Sequence, residues 1–172
     1  MTAERGVKAA FDLSWQELES EPNAQKLAMY LSLFALAPFP KPLIDGLFPE
    51  ENEDEIEEWL TDSLVHLNLV KSLGNGWYEL HTLIRHYLRG KLEESLFKDE
   101  AKNSYSELMN EMMRKIDGNL LPENILDIKW LIPHIDVANK ELDSYREHGI
   151  RPALNSLFSS LLVSYVQYSN EI

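Results

Sequence analysis

The chain contains no cysteine, which removes disulfides, thiol nucleophiles and cysteine-ligated metals together. Its seven glycines are scattered, and neither G-x-x-x-x-G-K-[ST] nor G-x-G-x-x-G occurs. Without such a loop the backbone cannot cradle a phosphate chain, so the chain is not expected to be an NTPase by itself, and with no convergent acid, base or nucleophile set in the sequence no other enzyme is expected either. Long apolar runs are missing as well. The richest, residues 27–39, carries Ser32 and ends among prolines, well short of the ~20 apolar residues that span a bilayer. The opening MTAERGVKAAF has no apolar signal core, so the expectation is a cytoplasmic protein with no membrane partner. Basic charge is scarce: 16 Lys and Arg stand against 29 Asp and Glu, a net charge of −13. Nucleic-acid affinity comes largely from cations displacing counterions at phosphates. DNA, RNA and anionic lipid are therefore poor partners on charge alone.

What is present suffices for one generous domain or two small ones. The chain has 172 residues, 44% of them hydrophobic and 10% aromatic, and disorder is not the expectation. Val7, Phe11, Ser14/Trp15 and Leu18 share one helical face. After Pro22, apolar residues at 24, 27, 28, 31, 34 and 35 predict a second helix, apolar on nearly every side and hence central. The prolines of APFPKPL impose extended geometry, and a brief helical turn, LIDGLF, follows. Ile56, Trp59, Leu60, Ser63, Leu64 and Leu67 return to helical spacing, behind first turns crowded with Glu and Asp that complement the helix dipole. The period then changes. NLVKSL-GNG-WYELH reads as two short strands joined at Gly74-Asn75-Gly76, residues that adopt positive φ cheaply. Leu80, Leu83, Ile84, Tyr87, Leu88 and Leu92 predict a closing helix. Three helices, a hairpin and a closing helix are the order of a winged-helix module, here residues 1–94.

Residues 95–172 are expected to form a helical bundle or repeat-like arm. Phe97, Ala101, Tyr105, Leu108, Met109, Met112, Met113 and Ile116 make a long apolar stripe, which Asp117-Gly118-Asn119 should stop. Another helical stretch begins near Pro122, and Pro133 should start a new helix. A last apolar helix from Pro152 reaches Ile172 with no stop signal, as though the chain continued into a larger protein.

Candidate chemistry is thin. Glu50 to Glu58 is acidic but lacks the glycine turn of a calcium loop, so it reads as a solvated helix start. His81 and His86 are five apart, off the common helical face that zinc would need. Neither pattern gives a metal site. His81 stands out by position. It sits where the hairpin meets the closing helix, at free backbone N–H groups and the positive end of a dipole, which favour anions.

Two stretches carry a family resemblance. AAFDLSWQELESEPNAQKLAMYLSLFALAPFPKPLI resembles the opening of the winged-helix subdomain of NB-ARC (STAND-class) signalling NTPases, through Leu13, Ser14, Trp15, Leu18, Pro22, Lys26, Leu31, Leu33, Phe34, Pro38 and Pro40. Tyr78-Glu79-Leu80-His81-Thr82-Leu83-Ile84-Arg85 is similar to that family's Met-His-Asp sensor motif, with Leu80 for Met and Thr82 for Asp. The resemblance implies that His81 contacts the β-phosphate of ADP in an intact parent protein. It also implies that ADP and ATP are the parent's ligands while this fragment has no cofactor, and that an upstream nucleotide-binding domain of the same chain is one partner. Trp130-Leu131-Ile132-Pro133-His134 is similar to linkers that precede tetratricopeptide repeats, which implies protein partners on the helical arm.

The expected function is thus a regulatory and protein-interaction fragment of a nucleotide-switched signalling NTPase. The alternatives are a stand-alone helical protein-binding module and a winged-helix DNA-binding regulator. Eight acidic residues and no Lys or Arg between Glu50 and Asp62 oppose the last of these.

Overall fold

A computed structural model of the chain describes residues 2–117 and 129–142. It is mainly helical, with one small antiparallel sheet. Residues divide into two compact units, Met1–Tyr105 and Ser106–Ile172.

In the first unit, α1 (Thr2–Glu17) runs into a 3-10 turn, Leu18–Ser20. Its Phe11 and Trp15 rings lie 5.6 and 6.3 Å from the Tyr87 ring, and Leu18 is buried. The expected inward face of this helix is therefore real at those three positions. Helix α2 (Pro22–Leu31) has its proline in the first turn and buries Ala24, Leu27, Ala28 and Leu31. It stops earlier than the apolar spacing suggests. Ser32, Leu33 and Phe34 donate their N–H groups to Met29, Tyr30 and Leu31, three residues back, and the Ser32 hydroxyl adds a 2.6 Å bond to the Met29 carbonyl. These bonds tighten the end of the helix into turns, yet Phe34 and Ala35 remain buried.

The proline-rich run then supplies β1 (Phe39–Pro40), a strand of two residues, followed by α3 (Lys41–Asp45). Helix α4 begins as Glu53–Glu58, where the Asn52 side chain caps the Asp54 N–H at 2.9 Å. It continues as a π-helix, Trp59–Val65. The His66 N–H reaches back five residues to the Thr61 carbonyl at 3.2 Å. Asn68, at φ 57°, ends the segment in left-handed geometry.

Strands β2 (Lys71–Gly74) and β3 (Trp77–Glu79) form the expected hairpin. Its turn uses positive φ at Gly74, Asn75 and Gly76 (86°, 53° and 73°). The sheet order is β1-β3-β2, with Phe39 opposite Tyr78, Lys71 opposite Glu79 and an irregularity between Ser72 and Gly74. Pro40 is tolerated because β1 is an edge strand. Helix α5 (Thr82–Glu94) closes the arrangement, burying Ile84, Leu88 and Leu92.

Phe34 is central to this core. Its ring meets Phe39 edge-on at 4.9 Å and Tyr105 at 5.6 Å. Tyr105 belongs to α6 (Lys98–Asp117), the helix within which the two units divide. On the second unit's part of α6, Leu108, Met109 and Met113 are buried, as the stripe predicts. There too a 3-10 turn, Lys129–Leu131, leads into α7 (Ile132–Leu142), with Pro133 in its first turn as expected. Leu131, His134, Ile135 and Ala138 are buried. The helices expected near Pro122 and from Pro152 begin outside the described residues.

Candidate functional site

The junction between β3 and α5 is built by alternation followed by a cap. Tyr78 and Leu80 point into the core, while His81, Thr82 and Leu83 are exposed. His81 has extended backbone angles (φ −70°, ψ 143°) and is the N-cap of α5. Its Nδ1 accepts the Leu83 N–H at 3.2 Å, and its carbonyl accepts the Arg85 N–H at 2.9 Å. A ring nitrogen that accepts must be unprotonated, so in this geometry the proton sits on Nε2. His81 thus satisfies one free amide of the helix start and turns a donor, Nε2–H, away from that bond. The remaining first-turn N–H groups and the dipole's positive end lie beside it. Chemically, the arrangement can donate to an anion. Thr82, the first helical residue, brings no charge to it.

Arg85 fixes the junction from behind. Its Nε donates to the Phe34 carbonyl at 2.6 Å, tying the turn that follows α2 to the first turn of α5. The other cations of α5 are also engaged with neighbours. Arg89 lies 3.7 Å from Glu93, and the Lys91 ammonium sits 5.5 and 5.3 Å from the Trp15 and Tyr87 rings. The Tyr87 hydroxyl donates to Asp12 at 2.9 Å. Burial, then the Asp12 carboxylate, push that phenol well above its ordinary pKa. Sequence spacing placed these cations on α5 but could not reveal their partners; that of Arg85 sits 51 residues away along the chain.

The acidic helix presents Glu53, Asp54, Glu55, Glu58 and Asp62 to solvent, while Glu57 pairs with Lys41 at 3.5 Å. Lys41 also pairs with Asp45 at 2.6 Å, and these carboxylates hold its pKa above the ordinary value against the opposing effect of burial. A cleft of about 360 Å³ lies against this helix, lined by Glu21, Ala24, Glu58, Trp59, Asp62 and Ser63 among others. The Ser63 hydroxyl donates to Glu21 there.

His66 and His86 are exposed, and His134 is buried with its ring 6.4 Å from Trp130. His148 lies outside the described residues. No group of three or more metal-ligating side chains occurs among the described residues, and no described helix is long and apolar enough to cross a membrane. No protein-family model matches the chain, and no curated protein or solved structure matches it either.

Proposed function

We propose that this chain is the winged-helix and helical-arm portion of a nucleotide-switched signalling NTPase of the NB-ARC (STAND) class, regulatory rather than catalytic. The reading is supported by the order α2, β1, α3, α4, β2, β3 with sheet order β1-β3-β2, which is the winged-helix order. The observation that carries the functional part is the His81 cap. A histidine whose Nδ1 is taken by the helix start offers Nε2–H, a donor suited to a phosphate oxygen, beside a helix N-terminus that favours negative charge.

In this reading ADP, held mainly by a nucleotide-binding domain on the same polypeptide, is contacted by His81 only in the closed arrangement. The contact shifts the equilibrium by its difference in free energy between the two states and no more. A hydrogen bond to a charged group contributes ~1.5–3 kcal/mol, enough for roughly ten- to hundredfold tighter ADP retention. Protein partners then belong to the helical arm, and nucleic acid is not a partner: the acidic α4 stands where a winged helix would present its recognition helix to phosphates.

The test is His81→Ala in the chain joined to its nucleotide-binding domain. ADP should leave about tenfold faster and the protein should shift toward assembly. Unchanged ADP retention and oligomeric state would remove the sensor role. A stand-alone protein-binding module is the second reading, favoured by the exposed Leu13, Leu36, Leu73 and Leu83. Under that reading the substitution alters partner binding and leaves nucleotide irrelevant.

A further inference from the structure

Helix α1 packs against α5, whose two faces differ. One face buries Ile84, Leu88 and Leu92 in the core. The other presents Tyr87 and Lys91, both half-buried, and here α1 rests. Its contacts converge on one side chain. The Tyr87 ring lies 5.6 Å from Phe11 and meets Trp15 edge-on at 6.3 Å, and its hydroxyl donates to Asp12 at 2.9 Å. Lys91, one turn further along α5, places its ammonium 5.5 Å from the Trp15 ring. The Gln25 amide adds a 3.1 Å bond to the Trp15 carbonyl.

Helix α1 is not anchored as a core helix is. Among residues 8–17 no side chain is buried: Phe11, Asp12, Ser14 and Trp15 are half-buried, and the rest are exposed. Helix α2, by contrast, buries Ala24, Leu27, Ala28, Met29, Tyr30 and Leu31. Burial begins at Leu18, in the 3-10 turn that follows α1. The Glu21 N–H closes that turn on the Leu18 carbonyl at 2.9 Å, and Glu21 itself has left helical geometry (φ −129°, ψ 71°). Leu18 thus pins the turn to the core, and α1 lies beyond the pin.

We propose that α1 is a releasable cover on α5, pivoting at Leu18–Ser20 and latched by the Tyr87 side chain. The physical case is how the holding free energy is distributed. A helix of 16 residues is marginal in water by itself, so α1 depends on docking to stay helical. Docking draws on partly solvated rings and one hydrogen bond to a carboxylate, whereas α2 and α5 are held by fully buried side chains. Local opening therefore lifts α1 at lower cost than any opening of the core. Release uncovers Tyr87 and Lys91 and leaves Ile84, Leu88 and Leu92 in place. No nucleotide is needed for it.

The experiment is backbone hydrogen exchange on the whole 172-residue chain. In the unaltered protein, amides of residues 11–17 should exchange at least about tenfold faster than those of α2. Tyr87→Phe keeps the ring and removes the bond to Asp12. It should accelerate residues 11–17 by a further five- to twentyfold, roughly, with α2 and β3 at their original rates. Tyr87→Ala, which removes the whole latch, should accelerate the same residues more. If Tyr87→Ala folds poorly, the unaltered chain and Tyr87→Phe still decide. Exchange at residues 11–17 as slow as in α2, acceleration spread equally over α2 and β3, or none in either variant overturns the proposal.

Discussion

A pair of substitutions separates the capping of α5 by His81 from the phosphate contact of the proposed function. As the N-cap of α5, His81 satisfies the Leu83 N–H through Nδ1, and in the proposed function it also donates through Nε2. His81→Ala removes both. Replacing a good capping residue by alanine costs ~0.5–2 kcal/mol. Here the bond is 3.2 Å long and the residue is exposed, so water can replace it in part, and the lower half of the range applies: about 0.5–1 kcal/mol. For a cooperative unit of about one hundred residues that lowers the thermal midpoint by roughly 2–6 °C. His81→Asn behaves differently. Its side-chain oxygen caps the same amide, so stability should stay within a few tenths of a kcal/mol of the original. The shorter side chain does not extend to where Nε2 reaches, so the anion contact of the proposed function should be lost. Thermal unfolding followed by circular dichroism measures the first effect and ADP retention the second. The expected pattern is Ala defective in both and Asn defective in retention alone. Equal destabilisation by Ala and Asn, or none by Ala, would refute the capping argument and with it the assignment of the proton to Nε2.

Arg85→Met should remove the 2.6 Å bond to the Phe34 carbonyl while keeping most of the packed stem, at a cost of about 1–2 kcal/mol in urea unfolding; a change smaller than experimental error would mean that water takes over the carbonyl. Acid should act through Glu93. Its hydrogen bond from Lys98, followed by the Lys102 interactions, holds its pKa below the ordinary 4.5. A depressed folded-state pKa contributes stability that is fully present above the unfolded value and is lost as pH falls through the folded one. Glu93→Gln should therefore flatten the fall in thermal midpoint below about pH 4.5, and an unaltered slope would show that the pair is screened out.

Much of the fold was legible because the signals were local. The Gly74-Asn75-Gly76 turn could be read because positive φ is cheap for those residue types, and the adopted angles agree. Pro133 marked the start of α7 because its ring suits a first helical turn. Phe97 was less legible. Its place in the apolar stripe predicted burial within a helix, yet it precedes α6, is 39% exposed and covers Lys26. The π-helix of Trp59–Val65 also left no trace in the spacing, since Leu60, Ser63 and Leu64 satisfy an ordinary helical period equally well. The strand at Phe39–Pro40 was read only as extended chain, because its partner, β3, lies far along the sequence.

The same division holds at the candidate site. Residue order alone placed His81 between a strand and a helix, where an N-cap and a dipole end must occur. Composition alone established an acidic chain without cysteine or a phosphate loop. Only the tertiary structure decided which ring nitrogen is occupied, that the cations of α5 turn toward Phe34, Glu93, Trp15 and Tyr87, and that Lys26 bridges α2 to the start of α6. The physical reason is range. Backbone conformation and capping follow from a few neighbouring residues, whereas the partner of a long charged side chain is set by packing between segments tens of residues apart.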